Sequence, residues 1–439
     1  MVKQYIFAFF LIATLAIFFY TSIRLIRFFT FTKKAFPVRS LIKRIKIMFV
    51  VAFGQSRILR KPLIGTLHAL VFWGFCVILF GSVEMVIDGL FGTEHVLQKL
   101  GWFYDFTTGS GDIFAMVITI AIIIFLLRRL FLHLKRFEGI EMKSVSHIDA
   151  KVALIMILFL MISLQGMNIS YLAIKKLTNE NIAGSYPVSR HLLGMFMFTT
   201  VFAQKFWYEL SWWSHILTIF IFANYLPYSK HFHVFMSVPN VFLSRLDPLG
   251  KLPHMDNVTR EVKLIMDPNA VFSATEPITP PERFGVKDVE DISWKNYLDS
   301  LACTECGRCT AVCPANITGK RLSPRKIIMD VRARMKEKGP GLIKTGKTYD
   351  DRKSLLRDYI TEEELWACTT CNACARECPI SINHPTLIVD MRRYLVMEEG
   401  SAPGLLKSTF SNIENNGAPW QYPPEDRLLW AIDLEIRTN

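Results

Sequence analysis

Cys303-Thr304-Glu305-Cys306-Gly307-Arg308-Cys309-Thr310-Ala311-Val312-Cys313-Pro314 sets three cysteines at two-residue gaps, then a fourth after three residues, closed by proline. Cys368, Cys371, Cys374 and Cys378, followed by Pro379, repeat the spacing. Eight of the nine cysteines fall in these two runs. Three thiolates so close together wrap one loop around a cubane and ligate three of its irons, while the cysteine before the proline ligates the other cluster. The spacing therefore predicts two [4Fe–4S] clusters with crossed ligands. One would take Cys303, Cys306, Cys309 and Cys378, the other Cys368, Cys371, Cys374 and Cys313. The competing reading is a pair of zinc sites, but zinc knots use two separated Cys-x2-Cys pairs and no Cys-Pro. Metal ligation in place of disulfides suits a reducing cytosol.

The residues around the cysteines repeat as well. Thr361 and Glu364 form a capping box ahead of the second run. Ser323-Pro324 starts a helix after the first, with serine as cap and proline in the first turn. That helix carries Ile327-Ile328-Met329-Asp330-Val331-Arg332, and its counterpart carries Leu387-Ile388-Val389-Asp390-Met391-Arg392. Residues 291–439 thus read as a mainly helical two-[4Fe–4S] domain, entered by a helix over Ser293–Ala302. Ahead of it, 236–290 reads as a proline-rich irregular linker broken at Ile278-Thr279-Pro280-Pro281.

Residues 1–235 read differently. The chain of 439 residues is 51% hydrophobic, with the long apolar runs all in this part. Residues 5–23, 63–83, 152–174 and 210–229 carry no charge, and each approaches the ~20 residues a spanning helix needs. A shorter run, Ile113 to Leu127, is extended by snorkelling Arg128 and Arg129. The expectation is a bundle of five transmembrane helices, making the whole chain all-α. Leu192–Gln204 is too short to cross alone. The first run is too long for a signal-peptide core and lacks a small-residue cleavage site, so it reads as an anchor.

The net charge of +13 would suit nucleic acid, but topology explains it better. Eleven Lys and Arg lie between Arg24 and Lys61, six between Arg128 and Lys151, and only Lys99 between Glu84 and Asp112. The basic loops predict a multi-pass protein of the inner (cytoplasmic) membrane, with the N terminus outside and the cluster half cytosolic. Lys175, Lys176, Arg190 and Lys205, in a loop expected outside, run against this assignment.

Histidines within spans are costly and usually functional. His68 follows Pro62 at the cytosolic start of the second span, and His215 lies near the outer end of the fifth. His233 is eighteen residues further on, five turns of an unbroken helix, which would set both on one face. His68 and His233 are thus candidates to clamp one b-type haem. His231, rotated away on such a helix, reads as a polar contact, as do His133, His147, His254 and His384. Cys76 reads as a small apolar filler.

Two resemblances sharpen this. The segments Leu67-His68 to Phe80-Gly81, and His215 through Leu226-Pro227-Tyr228-Ser229-Lys230-His231-Phe232-His233 to Ser237-Val238-Pro239, resemble the gamma subunit of respiratory nitrate reductase. That resemblance implies five spans and two b haems, each held by a histidine of span two and one of span five. His68 and His233 match the cytosol-proximal pair. His215 matches one ligand of the outer haem, but the partner position is Ile78, so that haem is in question, with His95 and His191 as nearby alternatives and a quinone headgroup as another occupant for His215. Residues 290–430 resemble the iron–sulfur C-subunit of heterodisulfide reductases and related membrane-anchored iron–sulfur oxidoreductases. The marks are Cys303 to Cys309, Thr318-Gly319-Lys320 with Ser323-Pro324, and Met391-Arg392-Arg393-Tyr394-Leu395. This resemblance implies a separate cytosolic partner, a cysteine-rich CCG-type iron–sulfur protein or a flavoprotein. Trp420, Tyr422 and Trp430 would dock it or pack on their own domain.

Together these readings predict an oxidoreductase subunit that passes electrons between such a partner and membrane quinone, menaquinone or another. The cofactors are two [4Fe–4S] clusters and haem b. Lipid is a partner and nucleic acid is not. The rival reading is a non-catalytic membrane anchor or a redox-sensing iron–sulfur protein.

Overall fold

A computed structural model describes residues 1–196, 200–267 and 283–434. Its described residues are all-α, with two isolated bridges and no strand. Five long helices form the first half: α1 (Val2–Arg27), α2 (Pro62–Phe91), α3 (Trp102–Phe131), α4 (Ser144–Thr178) and α5 (Val201–Tyr225). Local chemistry sets their ends. Pro62 occupies the first turn of α2, where its missing N–H costs nothing. Gly92 and Asn179 close α2 and α4 in the left-handed conformation. Thr200 caps α5 by accepting a hydrogen bond from the Ala203 amide.

Consecutive helices run antiparallel. Glu84 near the end of α2 meets Tyr104 at the start of α3, Asp112 of α3 meets Asn168 late in α4, and Asp149 early in α4 meets Tyr225 at the end of α5. Phe7 of α1 packs against Trp212 and Phe220 of α5. Four helices are long and apolar enough to cross a membrane: α1 with its extension to Phe31, α2, α3 and α4. The expected five is thus corrected to four among the described residues. α5 has the length but not the composition, since Lys205, Glu209, His215 and Asn224 dilute its apolar residues. It lies along α4 and α1, and its His215 is buried.

The expected fifth span also ends early. The helix stops at Tyr225, and Leu226–Tyr228 and Lys230–Phe232 form tight 3-10 turns around Pro227 before α6 (His233–Phe242) begins. His215 and His233 therefore do not share one face of a continuous helix, contrary to the expectation. The stretch expected to be irregular contains most of α6 and a helix at Asp256–Met266. The Ile278–Pro281 break lies outside the described residues, as do 197–199 of the Leu192–Gln204 stretch.

In the second half, α7 (Trp294–Ala302) opens with a capping box between Ser293 and Asn296 and leads into Cys303. α8 (Pro324–Thr345) starts at the Ser323 cap, and α9 (His384–Met397) is its counterpart. The Thr361–Glu364 box caps the turn that delivers Cys368. Ile327, Val331, Leu365, Leu387 and Met391 are fully or almost fully buried, and the same core takes in Leu25 and Phe28 from the end of α1. The two halves therefore share one hydrophobic interior, and removing it from water is the main force that joins them. Trp420, Tyr422 and Trp430 remain exposed and contribute nothing to it.

Candidate redox centres

The two cysteine loops have the same backbone. Glu305 and Gly307 in the first, and Thr370 and Asn372 in the second, take positive φ at equivalent positions. The kink turns an amide onto the first thiol of each run, Thr370 onto Cys368 Sγ at 3.4 Å and Glu305 onto Cys303. At Gly307 the kink also brings the loop onto the membrane half, where an added Cβ would sit 2.2 Å from the Arg136 carbonyl oxygen.

The loops exchange their last cysteine. Cys309 lies among Cys303, Cys306 and Cys378, while Cys374 lies among Cys368, Cys371 and Cys313. Cys309 also senses Cys374, so the two groups are neighbours. Cys313, Cys368, Cys371 and Cys374 line one cavity walled by Leu322, Pro324 and Ile388. Burial above all, with crowding by neighbouring thiols, pushes Cys303 up to about 11 and Cys374 up to about 12. Crowded, desolvated thiolates need a cation to stay ionised, which the iron of a bound cluster would supply. Among the described residues no three His, Cys, Asp or Glu side chains are arranged to hold a single metal ion. Thiols around a space fit a polynuclear cluster better than zinc.

The surroundings of the two groups differ. Arg332 and Arg392, from the matching segments of α8 and α9, donate to the carbonyls of Cys303 (3.0 Å) and Cys368 (2.5 Å). The first group receives more from the membrane half. Arg57, in the loop before α2, donates to the Cys378 carbonyl at 2.9 Å, and Arg308 donates to the Arg57 carbonyl at 3.2 Å. Cys371 of the second group is exposed, as are Thr369 and Thr370 beside it.

His68 lies close enough to His233 and to Arg308 for their charges to be felt. His233 Nδ1 faces the Lys230 carbonyl at 3.3 Å, which directs Nε2 outward as a lone-pair donor. His68 Nδ1 is buried without a partner. His231, expected to be a mere polar contact, belongs to the same group. Its ring is 5.8 Å from that of His233, its Nε2 is buried and unpaired, and it senses His68. The unpaired imidazole nitrogens are the kind of donor that would hold a haem iron. The His-x-His spacing of His231 and His233, shortly after Pro227, is the signal that could have found His231.

His215 lies towards the other end of the bundle. Its Nδ1 is held by the Leu160 carbonyl (2.9 Å) and the Ser163 hydroxyl (3.0 Å). It lines a cavity of about 420 Å³ with Ile78, Glu84, His95, Asp112 and Tyr171. Of the two alternative partners, His95 shares this cavity. His191 is exposed and its Nδ1 is engaged with the Pro187 carbonyl. Tyr104 bridges Glu84 (3.0 Å) and His95 (2.7 Å), a chain of exchangeable protons from the cavity to the loop at the bundle end.

Known proteins match parts of this sequence. The 4Fe-4S dicluster domain family matches residues 302–382, a stretch that holds all eight cysteines. The chain is 30% identical over 431 residues to the probable iron-sulfur-binding oxidoreductase FadF of Bacillus subtilis, covering 90% of this chain and 56% of that protein. It is 29% identical over 419 residues to the EtfAB:quinone oxidoreductase of Syntrophomonas wolfei, covering 90% and 55%. It is 36% identical over 102 residues to the C-subunit of the ferredoxin/F(420)H(2)-dependent CoB-CoM heterodisulfide reductase of Methanosarcina acetivorans, covering 23% and 49%. The chain spans about half the length of the curated relatives it matches. No solved structure matches it.

Proposed function

We propose that this chain is the membrane electron-transfer subunit of an oxidoreductase, working between a cytosolic partner and quinone. The supporting observation is the contact of the first four-thiol group with the membrane half beside His68, through Arg57 and Arg308. When bound, [4Fe–4S] clusters and a b-type haem supply single-electron chemistry. The chain's own residues hold, space and insulate them. Cys303, Cys306, Cys309 and Cys378 would hold the inner cluster, and Cys313, Cys368, Cys371 and Cys374 the outer. His68 and His233 would hold haem, with His231 close by.

The loops that carry the lysine and arginine excess are those that touch the cluster half: Arg57 meets Cys378, while Arg136 and Glu141 meet Arg325. Both the charge rule and this contact favour one side for loops and clusters, the cytosol. The cavity at His215 then opens towards the other side of the membrane, and its Glu84–Tyr104–His95 chain suits exchange of the protons that quinone chemistry requires. The name of the Syntrophomonas relative pairs EtfAB with quinone. A partner of that kind, or a CCG-type cysteine-rich protein, is the electron-exchanging component we expect.

The test is a dithionite-reduced minus oxidised visible spectrum of the purified protein, with electron paramagnetic resonance of the reduced state. Haem b bands and two [4Fe–4S] signals are expected. Clusters without haem bands would remove the quinone route and leave an anchor or redox sensor.

A further inference from the structure

The two four-thiol groups come from one repeated motif, yet their charges are unequal. In each, one arginine of the cluster half donates to a cysteine carbonyl, Arg332 to that of Cys303 and Arg392 to that of Cys368. The first group has two more from the membrane half. Arg57 donates to the Cys378 carbonyl at 2.9 Å. Arg136, whose backbone packs on Gly307, brings its guanidinium within electrostatic reach of Cys306. The opposing charge is Glu305, and it is already paired with Arg332 and Lys230. These sites are half-buried or buried, so the interactions escape much of the screening of water.

A [4Fe–4S] cluster on four thiolates is anionic, and reduction adds one negative charge. A fixed cation nearby therefore stabilises the reduced form more than the oxidised form. We infer that Arg57 and Arg136 are positioning residues that raise the reduction potential of the cluster held by Cys303, Cys306, Cys309 and Cys378, so that docking the halves draws electrons towards the membrane. This rests on the iron–sulfur reading above. The step is a single electron passing from the reduced outer cluster, charged by the reduced partner, to the oxidised inner one. No bond or proton changes hands. Water around exposed Cys371 acts in the opposite sense by solvating the charge of a reduced outer cluster. The effect is therefore read within one cluster, with and without the guanidinium.

The experiment is a redox titration by electron paramagnetic resonance on the full-length protein in detergent. The inner signal is assigned by its loss in Cys309→Ser. Arg57→Gln should make the inner cluster at least about tenfold harder to reduce, a downward shift of about 59 mV for one electron, with the outer midpoint unmoved. Arg57→Lys, which keeps the charge, should stay near the parent value. Arg136→Gln, which leaves the Arg57 hydrogen bond in place, should shift the same midpoint downward even if Arg57→Gln weakens cluster retention. Unchanged inner midpoints in both Gln variants, or equal shifts in both clusters, would overturn the inference alone. A protein with no pair of cluster signals would overturn the functional reading, and this inference with it.

Discussion

The guanidinium of Arg325, with no exposure to solvent, lies 2.7 Å from the carboxylate of Glu141, which is almost as deeply buried. One residue belongs to α8 of the cluster half and the other to the loop between α3 and α4. Arg325 also donates to the carbonyls of Arg136 and Glu138, and Ser323 donates to the same Glu141 oxygen. Each partner thus has hydrogen bonds beyond the ion pair itself, the condition under which a buried ion pair holds. Removing one partner strands the other charge. Glu141→Ala should cost about 3–5 kcal/mol, read as a fall in the thermal midpoint of cluster bleaching in detergent. A drop within error would mean that the halves are held without this pair.

Cys378 sits in the second motif by sequence and among the thiols of the first motif in space. Cys378→Ser should therefore remove the signal that Cys309→Ser removes, and spare the one that depends on Cys371. Iron analysis and electron paramagnetic resonance of the three variants would decide it. Loss of the Cys371-dependent signal would show that each motif serves only its own cluster.

Gly307 and Gly319 both adopt positive φ, but only Gly307 faces a neighbour. Gly319→Ala should carry the conformational penalty alone, about 1–2 kcal/mol. Gly307→Ala adds a clash with the Arg136 backbone and should unseat the first cysteine loop from the membrane half. Limited proteolysis and iron content would separate the two. Equal behaviour would argue against the close contact.

The histidines give a spectroscopic prediction. His68→Ala should abolish a haem b band, and so should His233→Ala. His231→Ala should leave the band in place but shift its midpoint, because His231 is beside the pair. Retention in His68→Ala with loss in His231→Ala would move the ligand assignment to His231.

His384 is almost completely buried, its Nδ1 lacks a partner, and burial lowers its pKa to about 3. Below the unfolded value near 6.5, the unfolded chain binds a proton that the native imidazole refuses. Stability from this group is therefore complete above about pH 6.5 and falls as pH drops towards 3, by at most about 1.4 kcal/mol per unit. His384→Gln should flatten denaturation midpoints measured between about pH 6.5 and 5. An unchanged slope would place the acid sensitivity elsewhere.

Local signals carried much of this architecture. The cysteine spacing, the Thr361 capping box and the Ser323-Pro324 helix start are short-range features, and each has its counterpart in the structure. Four long apolar runs correspond to α1–α4 by the same logic of length against bilayer thickness. What sequence could not supply was long-range. The chain between Arg57 and Cys378 gives no hint that they meet, and nothing local marks Glu141 as the partner of Arg325. The misplacement of His231 had a definite cause. Helical periodicity was carried through Pro227, where the missing amide and the Ser229 side chain favour tight turns over a helix.

The exchange of Cys313 and Cys378 has a bearing on biosynthesis. The first four-thiol group has no complete ligand set until residue 378 leaves the ribosome, by which time α1 to α5 have been translated. Assembly machinery that delivers preformed cubanes would thus meet a chain already committed to the bilayer, and insertion of the metal would be a late event.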